Sequence, residues 1–165
     1  MGIRGCFVAV PPATLQELRE DEDAVEEFLY SEDEDAAFEH FIEIDKAWHG
    51  IHYLLTGDVD GGEPPYSLAV LGGQEFGPDL DGGPPRFLTP EQVAQVARTM
   101  ADLPAEALAP RYAPQDMERK QIYPDVIWVR DGEESLRYLQ YHYRELAAFY
   151  RNAAARGDAV IQWLS

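Results

Sequence analysis

A long amphipathic segment near the carboxyl end of the chain limits the fold most strongly. Its apolar residues recur at alternating spacings of three and four, the period of one helical face; they are Leu136, Leu139, Tyr143, Leu146, Tyr150 and Ala153. A helix is therefore predicted over residues 133–155, ending before Gly157, a residue type common just beyond helix ends. Residues 159–164, with the sequence AVIQWL, follow as a predicted buried strand. A long helix joined directly to an apolar strand indicates a domain in which helices pack on a sheet.

Other segments show strand and helix patterns of the same kind. Residues 3–10 and 86–88 are predicted strands, and residues 122–129, with the sequence IYPDVIWV, are predicted as another. Thr89 has the capping-box spacing that begins a helix, and residues 14–17 have the same spacing earlier in the chain. Helices and strands thus alternate along the chain.

The length of 165 residues and a hydrophobic content of 45% suffice for one well-formed core. No linker separates two cores. The sequence therefore predicts an α+β (mixed α/β) fold, in which a single compact domain spans residues 1–165 and a small sheet of three or four strands is packed with several helices.

Acidic residues outnumber basic residues by 31 to 13, which gives a formal net charge of −18 at pH 7. They are densest in residues 17–35, and residues 31–35 are expected to form a solvated loop. Nucleic acids and anionic membranes bind proteins largely through Lys and Arg, so neither is expected as a partner. A cation or a basic protein remains an attractive partner, and the alternative is that the charge has no partner and serves only to keep the protein in solution.

The compartment is predicted from three features. No run of apolar residues is long enough to cross a bilayer. The apolar run at the start of the sequence is interrupted by Pro11 and Pro12, which makes it too short for a signal peptide. The lone Cys6 allows no internal disulfide and suits a reducing compartment. A cytoplasmic location is expected.

Residues 44–57, with the sequence IDKAWHGIHYLLTG, concentrate the side chains that could carry chemistry. Asp45 is expected to cap a helix that ends at Gly57. Helical spacing places four of its residues on one inward face; they are Trp48, Ile51, His52 and Leu55. His52 is the candidate general acid or base, because the pKa of imidazole lies nearest neutrality. The alternative is a buried neutral histidine that is satisfied by a hydrogen bond.

A metal site is weakly indicated and is not assigned. Asp45, His49 and His52 have spacings of four and three, as in helical metal motifs, but such short spacings often arise by chance. The two Asp-Gly segments at residues 58–62 and 79–83 lack the spacing of a calcium loop, and turn chemistry explains both. No metal or cofactor is expected.

Two further residues are candidates for binding a ligand. Arg86 and Tyr123 each adjoin a proline at a predicted junction between loop and strand, where side chains can point into a cleft. The candidate ligand-binding set is Asp45, Trp48, Arg86 and Tyr123. The alternative is that Tyr123 packs with its hydroxyl satisfied and that Arg86 pairs with one of the many acids.

Several segments together resemble the YfbM-like family of bacterial proteins; they are MGIRG, IDKAWHGIHYLLTG, PYSLAVLGG and IYPDVIW. The resemblance covers nearly the whole chain. It implies a small cytosolic single-domain α/β protein without a known cofactor, and it supplies no catalytic residues. The family pattern corresponds here to Asp45, Lys46, Trp48, His52, Thr56 and Gly57. It also implies a connection with bacterial toxin and immunity genes.

Two hypotheses of function follow. The leading one is a non-enzymatic acidic interaction module that binds a basic protein partner, including a toxin that it would neutralise. The alternative is a small enzyme or ligand-binding domain whose pocket gathers Trp48, His52, Arg86 and Tyr123. An open pocket at His52 would favour the alternative, and a buried His52 would disfavour it.

Overall fold

The centre of the structure is a five-stranded antiparallel sheet with the strand order β2-β1-β5-β4-β3. This computed structural model describes residues 2–30 and 40–165. The strands are β1 (Gly5–Val10), β2 (Phe41–Glu43), β3 (Gln74–Glu75), β4 (Arg86–Leu88) and β5 (Ala159–Leu164). The two longest strands, β1 and β5, lie side by side in the middle of the sheet and pair along their whole length.

Helices cover both faces of this sheet. The α-helices are α1 (Pro12–Glu20), α2 (Asp23–Leu29), α3 (Trp48–Thr56), α4 (Pro90–Ala101), α5 (Pro114–Arg119), α6 (Trp128–Asp131) and α7 (Glu133–Arg156). Short 3₁₀ helices are formed by Asp45–Ala47, Tyr66–Leu68 and Ala105–Arg111. Helices α1 and α2 pack on one face of the sheet, while α3, α4 and α7 pack on the other.

Alternation along the strands explains why two hydrophobic cores flank one sheet. In β1, Phe7 and Ala9 belong to the larger core beneath α3, α4 and α7, whereas Cys6 and Val8 belong to the smaller core beneath α1 and α2. All six residues of β1 are buried, because successive side chains point to opposite faces and both faces are covered. The predicted mixed fold is therefore confirmed, with five strands instead of three or four.

The helix signals in the sequence are largely confirmed. Helix α7 has nearly the predicted bounds and ends at Gly157, whose φ of 75° lies in the left-handed region. The capping box of α4 is present with both of its hydrogen bonds: Gln92 N–H donates to Thr89 Oγ1, and Thr89 N–H donates to Gln92 Oε1. Local chemistry thus decides where these two helices begin or end.

Two predictions of local structure are wrong, and two short strands were not predicted. Residues 122–129 form turns and the start of α6 instead of a strand: Asp125 has a left-handed backbone with a φ of 53°, and Trp128 Nε1–H donates back to the carbonyl of Ile122. Strands β2 and β3 are too short for a visible alternation and were not predicted. Helix α1 begins at Pro12, earlier than the predicted box at residues 14–17, because proline suits the first helical position.

Two further observations concern the expected location and the acidic loop. Across residues 2–30 and 40–165, no helix is both long enough and apolar enough to cross a membrane. The predicted solvated loop at residues 31–35 lies outside the described residues.

Candidate functional site

The candidate residues of the central segment converge on the first turns of α3. The Trp48 ring stacks on two other rings: its centroid is 4.9 Å from that of His49 and 5.5 Å from that of Tyr123. Trp48 and His49 are buried, and Tyr123 is half-buried. Two of the predicted candidates, Trp48 and Tyr123, are therefore in direct contact.

The backbone of Ile3 is held by the same two aromatic residues. Trp48 Nε1–H donates to the carbonyl of Ile3 at 2.8 Å, and the amide of Ile3 donates to the Tyr123 hydroxyl at 2.9 Å. Gly2, the preceding residue, lies close to the same hydroxyl, because a Cβ there would lie 2.6 Å from the Tyr123 hydroxyl oxygen. The polar atoms that the Trp48–Tyr123 pair could offer a ligand thus serve to hold the segment before β1.

His49 has both ring nitrogens engaged. The amide of Tyr123 donates to Nδ1 at 2.8 Å, and Nε2 lies 2.8 Å from the carbonyl of Val59. Since a carbonyl can only accept, the proton is assigned to Nε2, and the ring is neutral. Burial lowers the pKa of His49, which keeps the ring in this neutral form at pH 7.

His52 is fully buried, with an exposed fraction of 0%. Its Nε2 lies 3.0 Å from the carbonyl of Gly61 and is therefore the protonated nitrogen, whereas Nδ1 has no hydrogen-bond partner among the described residues. Burial lowers the pKa of His52 to about 4, and the hydrogen bond to Gly61 opposes this only in part. The ring is neutral at pH 7 and out of contact with solvent.

The two histidines together hold the Asp-Gly loop that follows α3. Thr56 contributes as well, because its hydroxyl donates to the carbonyl of His52 at 2.8 Å and accepts from the amide of Asp58 at 3.0 Å. Gly62, with a φ of 118°, passes so close that a Cβ there would lie 2.6 Å from the Thr56 Cβ. The loop is therefore bound to α3 through its carbonyls and through close packing.

Asp45 lies outside this arrangement and does not cap α3. The residue before α3 is Ala47, and no side chain caps the helix. Asp45 instead accepts a hydrogen bond of 2.7 Å from the hydroxyl of Tyr138 on α7, and this bond holds the pKa of the carboxyl below its usual range. The backbone of Asp45 is left-handed, with a φ of 51°. The prediction of a helix cap is wrong because a tertiary partner takes the carboxylate.

Arg86 lies in the sheet, apart from the other candidates. Its backbone lies opposite that of Glu75 in the pairing of strands β4 and β3. Burial lowers the pKa of its guanidinium, and the charge of Glu75 opposes that shift. Among the described residues, no hydrogen bond, ion pair or ring contact joins Arg86 to Trp48, His52 or Tyr123. The four residues of the predicted pocket are therefore not brought together.

Several partners at this site have no signal in the sequence. The contact between Asp45 and Tyr138 spans 93 residues, and the accepting groups at Val59 and Gly61 are backbone carbonyls. In the described part of the chain, no group of three or more His, Cys, Asp and Glu residues could hold a metal ion. The arrangement therefore supports a structural role, because the side-chain hydrogen bonds of Trp48, His49 and His52 are made to the backbone of the protein itself.

Comparison with known proteins agrees with this fold. A family model described as a domain of unknown function, DUF1877, matches residues 1–163. A crystal structure of a protein of unknown function, YfbM from Escherichia coli, is similar with a TM-score of 0.78, at 20% sequence identity over 98% of this chain and 99% of that chain. No curated protein matches. At that identity the structural likeness concerns the fold alone, whereas the family model covers nearly the whole sequence: the chain belongs to the DUF1877 family.

Proposed function

We propose that this chain is a non-enzymatic interaction protein that presents an acidic surface to a basic protein partner. The observation that carries the proposal is the outer side of α1 and α2, which we name the α1–α2 acidic face. It consists of seven exposed carboxylates, Glu17, Glu20, Asp21, Glu22, Asp23, Glu26 and Glu27. The inner sides of the same helices pack on the sheet through Leu15, Leu18, Val25 and Leu29.

Little positive charge offsets this face within the chain. None of the seven carboxylates forms an ion pair with a described residue. The base among them, Arg19, places its guanidinium 4.7 Å from the centre of the Phe87 ring and is held there by a cation–π contact. These carboxylates are therefore part of the formal charge of −18 that no ion pair with a described residue neutralises.

The geometry around His52 gives the catalytic alternative little support. A general acid or base must reach the proton that it transfers, and the ring of His52 is fully buried. The polar side-chain atoms of Trp48 and Tyr123 form hydrogen bonds with the backbone of Ile3. Arg86 lies on β4, and no hydrogen bond, ion pair or ring contact among the described residues joins it to them.

A basic partner is the class of protein that such a face would select. Opposite potentials speed the encounter of two proteins and disfavour partners of like charge, so the main effects are on association rate and specificity. A basic toxin that this chain neutralises is one partner of that class. The attraction should weaken with salt, because the carboxylates are exposed to solvent.

The test compares two variants with equal charge. One carries Glu22→Gln, Glu26→Gln and Glu27→Gln on the acidic face; the other carries Glu63→Gln, Glu91→Gln and Glu134→Gln at exposed positions elsewhere. Each immobilised protein is used to capture partners from cells of the organism that encodes the chain, at roughly 50 mM and about 500 mM salt. The captured proteins are identified by mass spectrometry, and association rates are measured by surface plasmon resonance.

A basic protein should be captured at low salt by the wild type and by the control variant, and its association rate should fall roughly tenfold with the acidic-face variant. The proposal fails if no basic protein is captured at low salt. It fails equally if the two triple variants lose association rate to the same extent, since only net charge would then matter.

A further inference from the structure

A groove of about 320 Å³ lies between α4, the 3₁₀ helix Ala105–Arg111 and α7, on a different part of the surface from the acidic face. Its floor includes Met100, Ala105 and Tyr143, which are buried beneath it. The Tyr143 hydroxyl already donates to the carbonyl of Leu103 at 2.6 Å. The floor therefore offers an entering molecule mainly apolar surface.

Two arginines of α7 line the same groove and differ in their contacts. Arg144 Nη2 donates to Glu106 Oε1 at 2.9 Å, and this ion pair balances the charge at one end. The side chain of Arg151 is exposed and forms no hydrogen bond or ion pair with any described residue. Of the two arginines that line this groove, Arg151 is therefore the one whose charge is available to an anion from outside.

We propose that this groove binds a small amphipathic carboxylate. The carboxylate meets the guanidinium of Arg151, whose planar pair of donors matches its two oxygens. The apolar part of the ligand lies along the floor toward Arg144. Four small side chains leave room for it; they are Ala97, Ala101, Ala147 and Ala148.

The helix geometry sets the size of the ligand. Arg144 and Arg151 are seven residues apart on α7, which corresponds to two turns and about 10 Å along the axis. An extended chain advances about 1.2 Å per bond, since three backbone bonds advance about 3.5 Å, so about eight carbons span that distance. The volume of about 320 Å³ is near the lower limit of small-molecule sites, roughly 300–1,000 Å³. A single medium-length chain therefore fits better than a branched or polycyclic ligand.

Octanoate is the probe, and the assay is an NMR titration of the ¹⁵N-labelled full chain. We expect saturable shifts at the amides of Ala97, Ala101 and Ala147, with a Kd on the order of 1 mM for a ligand of about ten non-hydrogen atoms. Arg151→Gln should weaken binding about tenfold, since a charge-assisted contact is lost. Arg137→Gln, on the same helix but not lining the groove, is the matched control and should bind as the wild type does.

Two further arms distinguish the carboxylate from general apolar binding. Octylammonium has the same chain and the opposite charge, so the Kd measured from the groove amides should be at least about tenfold higher than for octanoate. Ala101→Phe fills the groove from an exposed position, so the spectrum should remain that of a folded protein while binding is lost. The proposal is overturned if octanoate causes no saturable shifts there, if Arg151→Gln binds like the wild type, if octylammonium binds equally well, or if folded Ala101→Phe still binds.

Discussion

The buried imidazole of His52 should make the stability of the fold depend on pH in a predictable direction. Its pKa is lowered from 6.5 to about 4, chiefly by burial. Below pH 6.5 this histidine is protonated in the unfolded chain, whereas in the folded chain it stays neutral until the pH approaches 4. The contribution of the neutral His52 to the free energy of unfolding is therefore fully present above pH 6.5 and is lost as the pH falls from 6.5 toward 4.

The size of the effect follows from the shift. A lowering by about 2.5 pKa units corresponds to about 3 kcal/mol once the pH is below both values, and to about 2 kcal/mol at pH 5. No large reduction for solvent screening applies, because the side chain is fully buried. The pKa of His49 is lowered as well, again by burial, so the wild type should lose stability at both positions.

The perturbation that isolates His52 is His52→Gln. Its side-chain amide can still donate to the carbonyl of Gly61 but does not titrate. Free energies of unfolding would be measured by urea denaturation at pH 7.5 and pH 5.0 for both proteins. The wild type should lose about 2 kcal/mol more than the variant over this interval, because all other titrating groups are shared.

A direct reading of the ring would accompany the denaturation series. NMR of ¹⁵N-labelled imidazole should show His52 neutral, with its proton on Nε2, from pH 7.5 to pH 5.0. The reasoning would be refuted if both proteins lost the same free energy between these pH values, or if the ring of folded His52 became charged near pH 6.5.

Three smaller perturbations test other contacts by urea denaturation. Tyr138→Phe removes the donor to Asp45 and should lower the unfolding free energy by about 1–2 kcal/mol. The pKa of Asp45, followed by carboxyl NMR, should rise toward its usual range, and an unchanged pKa would contradict the role of this hydrogen bond. Thr89→Ala breaks the capping box of α4 and should cost about 1 kcal/mol, with Thr89→Ser largely restoring it. Gly62→Ala should cost about 1–3 kcal/mol because its φ is 118° and the added methyl would clash. Gly61→Ala, whose nearest heavy atom is 3.9 Å away, should be nearly neutral, and equal losses would speak against strain.

The parts of the fold that the sequence predicts are those governed by local patterns. The period of α7, the capping box at Thr89 and the left-handed residue at Gly157 each act within a few residues. Strands β1 and β5 were also predicted, because both are long enough to show their apolar character. Local free energy and the final structure agree at these positions, so a sequence pattern is sufficient.

The parts that could not be predicted depend on contacts between distant residues. Residues 122–129 have the composition of a strand, yet they form turns in which Trp128 Nε1–H donates back to the carbonyl of Ile122, while Val126 and Val129 are exposed. Asp45 is a residue type that often caps helices, yet its carboxylate accepts a hydrogen bond from Tyr138 instead. The sequence predicted that only one side of α3 would be buried, whereas all residues from Trp48 to Leu55 are buried. Tertiary packing overrode the local preference in each case.

The pairing at the middle of the sheet bears on how the chain acquires its fold. Val10 pairs with Ala159 and Gly5 pairs with Leu164, so the two central strands come from nearly opposite ends of the sequence. Closing so long a loop carries an entropic cost that must be met before the pairing stabilises anything. During synthesis, β1 therefore exists well before residues 159–164, which form its principal neighbour. Until that strand has formed, the apolar faces of β1 are a segment through which the incomplete chain could aggregate.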